Sequence, residues 1–303
     1  MFKTTDSTGE FIVDRARLWW ANVAVSIFGM VAGAALLGQE EAEEPKKDPK
    51  NLARLEFMRD TVRQLEIKAT EPDDKRDLTV KMQPLLRYSD PARQVADSAV
   101  WRVGLKGRPV AILTSEVYGP RDGGYHANNE FVAIDEPHLT IRSGPFTWTP
   151  PAKKLEFQEF KGEERPADKP QLRLTQLRRL AKRFSTREEF FGNKVEMRPL
   201  PTPIDRYEPS EKPNADGAIF AFVWGVNPEL LLFIESDGEK WSYAWARTSA
   251  ANLWVKLDDV EVWKEPQMNF RRLDTPTAHY AIADSVVKVP ANLYDASEEV
   301  KKP

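Results

Sequence analysis

The chain contains no cysteine, only three histidines and no excess of basic residues. Without cysteine it cannot form disulfides, thiolate metal sites or a thiol nucleophile. None of the histidines, His126, His138 and His279, has a partner at the i, i+4 spacing of a helical zinc site, so no metal site is predicted. The 44 basic residues are balanced by 47 acidic ones, which leaves no positive surplus for a phosphate backbone. Nucleic acid is therefore not an expected partner.

Catalytic and cofactor motifs are also missing. The glycine-rich turn Asp122–Tyr125 lacks the strand–GxGxxG–helix context of a phosphate-binding loop. Ser115 and Ser143 lack the GxSxG context of a nucleophile elbow. No cofactor is expected, and no catalytic residue is assigned.

Hydrophobic residues make up 41% of the chain and aromatic residues 10%, which is enough for a substantial core. Residues 18–38 carry no charge, and as a helix they span roughly 30 Å, the thickness of a bilayer's hydrocarbon layer. Arg15 and Arg17 precede this segment and four glutamates follow it, which predicts export of the body. Two interpretations remain open: a signal peptide cleaved near Ala32–Ala34, or a retained transmembrane anchor. Both predict an extracytoplasmic protein with a polar N-terminus (1–17) and a charged spacer (39–50).

The body of the chain contains an internal repeat at an offset of 119 residues. Eight of the thirty positions from Arg87 to Glu116 are identical to their counterparts from Arg206 to Glu235, with no gap. The identical pairs are Arg87/Arg206, Tyr88/Tyr207, Ala96/Ala215, Asp97/Asp216, Ala99/Ala218, Pro109/Pro228, Leu113/Leu232 and Glu116/Glu235. The body therefore reads as two copies of one unit.

Each copy predicts one helix followed by antiparallel strands. Apolar residues recur at three- and four-residue intervals over 51–66 and 172–184, which is typical of amphipathic helices. The runs 110–117 and 230–235 are almost continuously apolar, which predicts central strands covered on both faces. We therefore predict an α+β fold of two tandem helix-plus-β-meander units related by a pseudo-twofold axis, preceded by an N-terminal hydrophobic helix. The predicted units are 51–151 and 171–276, joined by a linker (152–170) and followed by a flexible tail (277–303).

The stretches MRPLPTPIDRY at 197–207 and DGAIFAFVWGVNPELLLFIE at 216–235 resemble a family of uncharacterised bacterial exported proteins. That family combines an N-terminal signal segment with an LPTPxxRY element and a DGA-led strand. The resemblance covers about residues 52–266 and implies export and a β-rich body, but no activity. The first copy departs from the pattern, because Ser98 stands where the second copy has Gly217.

The repeated Arg–Tyr pair is one candidate binding site. Arg87 and Arg206 offer a planar fork for carboxylate or phosphate, and Tyr88 and Tyr207 a flat ring with a polar tip. The alternative is that both pairs fasten a strand end to the sheet, because residues kept after a duplication are often those that both folds need.

Aromatic residues of the second copy form another candidate. Trp241, Tyr243 and Trp245 alternate along one strand and share a face, while Trp254 points opposite to its apolar neighbours. Such a stripe belongs either to the core or to an exposed binding surface.

These observations favour a non-catalytic binding module of the cell envelope with a protein or glycan partner, and with membrane contact through residues 18–38. The alternative is a hydrolase whose carboxylates, such as Glu116, Glu235 and Asp216, converge in a cleft between the copies.

Overall fold

The computed structural model describes residues 49–71, 73, 77–121, 124–134, 139–151, 155–269, 280–285 and 287–293. The predicted N-terminal hydrophobic helix, signal peptide or anchor at 18–38 lies outside these residues. In the described part of the chain, no helix is long and apolar enough to cross a membrane. The predicted transmembrane helix therefore has no counterpart there.

The described residues form two α-helices and eighteen strands. The helices are α1 (Pro49–Arg63) and α2 (Pro170–Ala181). The strands of the first half are β1 (Glu66–Ala69), β2 (Leu86–Asp90), β3 (Val95–Val103), β4 (Ala111–Arg121), β5 (Gly124–Ala133), β6 (Leu139–Ser143) and β7 (Phe146–Trp148). Those that follow are β8 (Gln158–Glu159), β9 (Phe184–Phe190), β10 (Asn193–Pro199), β11 (Asp205–Tyr207), β12 (Ala215–Trp224), β13 (Asn227–Asp237), β14 (Trp241–Arg247), β15 (Asn252–Leu257), β16 (Val260–Glu265), β17 (Tyr280–Ser285) and β18 (Val287–Lys288).

Three antiparallel sheets result. One has three strands in the order β1-β6-β7, and one has six in the order β17-β5-β4-β3-β2, with β18 also paired to β5. The largest runs β16-β15-β9-β10-β12-β13-β14-β8, with β11 paired to β12. This sheet curls so far that its two edge strands come into contact. The Gln158 side chain of β8 donates a hydrogen bond to the carbonyl of Val262 in β16 at 3.4 Å.

The core consists of three apolar clusters. The first lies between α1, the three-stranded sheet and the six-stranded sheet, and the second lies inside the curled sheet against α2. The third lies between the six-stranded sheet and the curled sheet, where Ile112 of β4 and Phe233 of β13 are both fully buried. The central strands are buried on both sides: on β12, Phe220 faces α2 whereas Ile219 faces the first half.

The predicted α+β class, two tandem helix-plus-meander units, is wrong. The two helices have 15 and 12 residues, and strands dominate the described chain. The halves are not meanders either, because the strand after each helix pairs with a much later strand: β1 with β6, and β9 with β15. These pairings curl each half around its helix, so the fold is mainly β.

Two segments complete the edges of the large sheets. Strand β17, in the region predicted as a flexible tail, pairs antiparallel with β5, and Ala281 and Ala283 enter the first core. In the second half, β8 lies antiparallel beside β14 at the corresponding edge. The first half is thus completed by a strand that follows the whole second half in the sequence.

Candidate functional site

The repeated arginines fasten the helices to the sheets. Arg206 donates from Nε to Asp216 at 2.9 Å and from Nη2 to the carbonyl of Pro170 at 2.7 Å. Arg87 makes the corresponding bonds to Asp97, at 2.9 Å from Nε, and to the carbonyl of Asn51. The two carbonyl acceptors, on Asn51 and Pro170, are also 119 residues apart. The repeat therefore preserves a hydrogen bond from each arginine to the first turn of the helix in its own half.

A pocket of about 250 Å³ lies beside Arg206 and Asp216. Arg173 of α2 donates to Asp216 at 2.8 Å from inside this pocket and to the carbonyls of residues 167 and 168. Glu208 also lines the pocket, so two guanidinium groups are matched by two carboxylates. The pocket therefore has little charge left for an anionic ligand.

The repeated tyrosines lie on the opposite face of their strands from the neighbouring arginines, in the core between the two large sheets. Tyr88 donates to Glu116 at 3.0 Å, and Tyr207 donates to Glu235 at 2.7 Å. Burial raises the pKa of both tyrosines well above its usual range. The structure thus places the four repeated Arg and Tyr residues in contacts within the protein.

Ion pairs across the interface join the two halves. Arg108 donates to both oxygens of Glu235, at 2.7 and 2.5 Å. Arg102 binds Asp205, and Arg93 binds Glu229. Arg93 also lies over the ring of Trp224, 4.3 Å from its centroid.

Four glutamates gather around the Arg93 contact, where both halves meet strand β17. We call Glu116, Glu130, Glu188 and Glu229 the junction carboxylates. Glu116, Glu188 and Glu229 are at most 4% exposed. Burial, and then the charge of Glu229, raises the pKa of Glu188 to about 9. Burial also raises the pKa of Glu130 and Glu229, although Arg93 opposes the effect on Glu229.

The carboxylates named for a hydrolase are engaged in contacts within the protein. Glu116 accepts hydrogen bonds from Tyr88 and Tyr118, and Glu235 accepts from Tyr207 and Arg108. Asp216 is held between Arg173 and Arg206. Among the described residues, no three or more His, Asp or Glu side chains come together as a metal site would need.

Three of the predicted aromatic binding residues lie in the core. Trp241, Tyr243 and Trp245 are at most 5% exposed and pack in the second cluster. Tyr243 donates to the Gln158 side chain at 2.9 Å, so its polar tip is also used internally. These rings offer no surface to a ligand.

Trp254 is different, because it is partly exposed on the side of the curled sheet that faces away from the core. We call this side, formed by β16, β15, β9 and β10, the outer face. The guanidinium of Arg187 lies over the Trp254 ring, 4.8 Å from its centroid. Trp254 is paired across the strands with Arg187 on one side and with Lys264 on the other.

The outer face carries more positive than negative side chains. Its outward positions follow from the alternation of buried and exposed residues and from the strand register. They hold five cations and three carboxylates: Arg187, Lys194, Arg198, Lys256 and Lys264, against Glu189, Glu196 and Glu261. A chain with a net charge of −3 thus presents a locally basic face around one aromatic ring.

The sequence alone did not reveal Arg187, Lys264 or the junction carboxylates other than Glu116. The off-phase position of Trp254 was the one signal that pointed to the outer face. Comparison of the chain with protein-family models, with curated proteins and with solved structures finds no match.

Proposed function

We propose that this protein is a non-catalytic, extracytoplasmic binding module that holds an anionic glycan on its outer face. The observation that carries the proposal is the stacked Arg187–Trp254 pair on an open sheet surface. A sugar ring would lie against the indole, and its carboxylate would meet the Arg187 guanidinium. The predicted export and the resemblance to exported proteins fit a ligand of the cell envelope.

Arg187 is suited to a carboxylate. It is exposed and forms no ion pair within the described residues, so the edge of its guanidinium is open to a ligand. Stacking on an aromatic ring holds the planar fork in one orientation while its N–H groups stay available for bidentate bonds. Lys264, opposite Trp254 on β16, and Lys256, two residues along β15, add positive charge, and Glu196 lies opposite Arg187 on β10.

The composition of the outer face favours a glycan over a protein partner. Protein interfaces have an apolar centre with several aromatic or aliphatic anchors. The outward positions of the four strands supply one aromatic ring, Trp254, and otherwise polar or charged side chains. One ring with surrounding charges suits a single stacked sugar and its acidic group.

The test measures binding of the full chain to three polymers in affinity electrophoresis: polygalacturonate, which carries a carboxylate on each sugar, neutral dextran, and polyglutamate. We expect polygalacturonate to bind, and Trp254→Ala and Arg187→Met to weaken binding at least about tenfold each, the effect of about 1.4 kcal/mol. Methionine keeps the contact with the ring and removes the charge. Arg142→Met, at an exposed cation on β6, is the matched control and should bind like the wild type.

Each other outcome has its own meaning. Binding of dextran that depends on Trp254 would remove the anionic part of the proposal. Equal and Trp254-dependent binding of polyglutamate would point to an acidic protein. Polymer binding that both variants leave unchanged, or no binding at all, would rule out the outer face as a glycan site.

A further inference from the structure

The junction carboxylates lie where three separate parts of the chain meet. Glu116 and Glu130 belong to β4 and β5 of the first half, and Glu188 and Glu229 to β9 and β13 of the second. The third part is β17, whose first residue, Tyr280, is 3% exposed and bonds through its side chain to Glu130.

Acidic groups outnumber cations at this junction. Glu188 faces Glu229, Arg93, Arg247 and the Ser249 hydroxyl, which lies 3.4 Å from its Oε1. Its Oε2 is buried without a hydrogen-bond partner within the described residues. Glu130 faces Glu116, Tyr280, Glu229 and Arg93. Glu229 faces Arg93, Ser249 and Glu116. Asp90 also lies beside Arg93. The Tyr88 and Tyr118 hydroxyls donate to Glu116.

We propose that the junction forms a pH-sensitive latch, which holds the two halves and β17 together while Glu130 and Glu188 are protonated and loosens them when these two carboxyl groups ionise. The geometry carries the inference: Arg93 binds the buried Glu229, the Ser249 hydroxyl contacts the buried Glu188, and Glu130 lies diagonally across from Glu116 on the neighbouring strand. Like charges in a low-dielectric site repel each other, and protonation removes the repulsion.

The direction of the pH effect follows from the raised pKa values of Glu130, Glu188 and Glu229. In the closed junction these groups keep their protons at pH values where an exposed glutamate has lost its own. The closed state therefore binds more protons, so it is favoured at low pH and is lost as the pH rises toward about 9, the pKa of Glu188.

Hydrogen exchange measured by mass spectrometry on the full chain tests the latch. Protection factors, corrected for the intrinsic exchange rate at each pH, are compared at pH 6 and pH 8 for β17, for β5 and for β6, which belongs to the separate three-stranded sheet. One carboxyl that is protonated only in the closed state changes the opening constant about tenfold per pH unit. We expect protection of β17 to fall about 100-fold, and that of β6 to change much less.

Two variants separate the latch from a general loss of stability. Glu188→Gln imitates the protonated side chain and should reduce the fall in β17 protection at least about tenfold. Glu196→Gln, an exposed change on the neighbouring strand β10, should leave the fall as in the wild type. Three results would overturn the latch: constant protection of β17 between the two pH values, an equal fall in β6, or a Glu188→Gln variant that behaves like the wild type.

Discussion

Replacing Gly217 with alanine should destabilise the protein strongly, because Tyr207 occupies the space that the new methyl group needs. The two residues are paired between β11 and β12. A β-carbon built on Gly217 would lie 2.6 Å from Cε2 and 2.9 Å from Cζ of the Tyr207 ring. Carbon atoms that are not bonded to each other prefer separations of about 3.5–4.0 Å. The ring or the strand must therefore move.

The ring has little freedom to move. Its hydroxyl is fixed by Glu235 at 2.7 Å, and both oxygens of Glu235 are bound by Arg108. Overpacking of a dense core costs about 1–3 kcal/mol. Loss of the hydrogen bond to a charged group adds about 1.5–3 kcal/mol if the ring is displaced. Together these terms predict a loss of about 2.5–6 kcal/mol in the free energy of unfolding.

Urea unfolding followed by tryptophan fluorescence measures this loss as a shift in the midpoint at constant slope. Ser98→Ala, at the corresponding position of the first half, is the control: it removes the 3.1 Å bond from Ser98 to the Ser115 carbonyl and should cost only about 1 kcal/mol. In the double variant Gly217→Ala/Tyr207→Leu the clash is relieved, so the loss should be smaller than the sum of the single losses. A Gly217→Ala protein within about 0.5 kcal/mol of the wild type, a value usual for neutral surface changes, would refute the steric argument.

Other predictions concern the junction. Glu188→Gln should raise the free energy of unfolding at pH 7 by about 4 kcal/mol, because the wild-type side chain has a pKa of about 9 in the folded state and about 4.3 when unfolded. The gain should vanish below about pH 4, and a variant that shows no gain in denaturant titrations at pH 7 would contradict the raised pKa. Arg93→Met should lower the free energy of unfolding by about 3–5 kcal/mol, because it leaves Glu229 buried without its cation. The double variant Arg93→Met/Glu229→Leu should recover most of that loss. A double variant as unstable as the single one in the same titration would argue against the ion pair.

The positions of many elements could be predicted from the sequence, because periodicity reports burial. The nearly continuous apolar runs at 110–117 and 230–235 correspond to β4 and β13, and their burial on both faces is confirmed. Both helices were predicted within a few residues of their ends. Such signals depend on a residue and its near neighbours in the chain.

The fold class could not be predicted in this way, because it depends on pairings between distant segments. Strand β9 shows the difficulty: its inward-facing positions include the polar Thr186 and Glu188, so the segment lacks the alternation of apolar residues that indicates a strand. Without β9 and its pairing with β15, the second half resembles a simple meander. One of these two polar residues, Glu188, is also the group at the junction whose pKa is raised to about 9.

The candidate site was predictable only in part. The off-phase position of Trp254 in the sequence pointed away from the core, but its neighbours Arg187 and Lys264 are distant in the chain and are brought beside it by strand register. The repeated Arg and Tyr residues were easier to find than to interpret. Their identity at a fixed offset is a sequence property, whereas the bonds that explain it join a strand to a helix start or to a buried glutamate.

The pairing of β17 with β5 has a consequence for the order of folding during synthesis. The ribosome releases the whole second half, including β8 at its edge, before it releases the strand that completes the six-stranded sheet. The first half therefore stays unfinished while the second half already has all its strands, which reverses the usual tendency of N-terminal regions to fold first. The first sheet can close only after synthesis has passed residue 285, so the last strand to be made decides when the first half is complete.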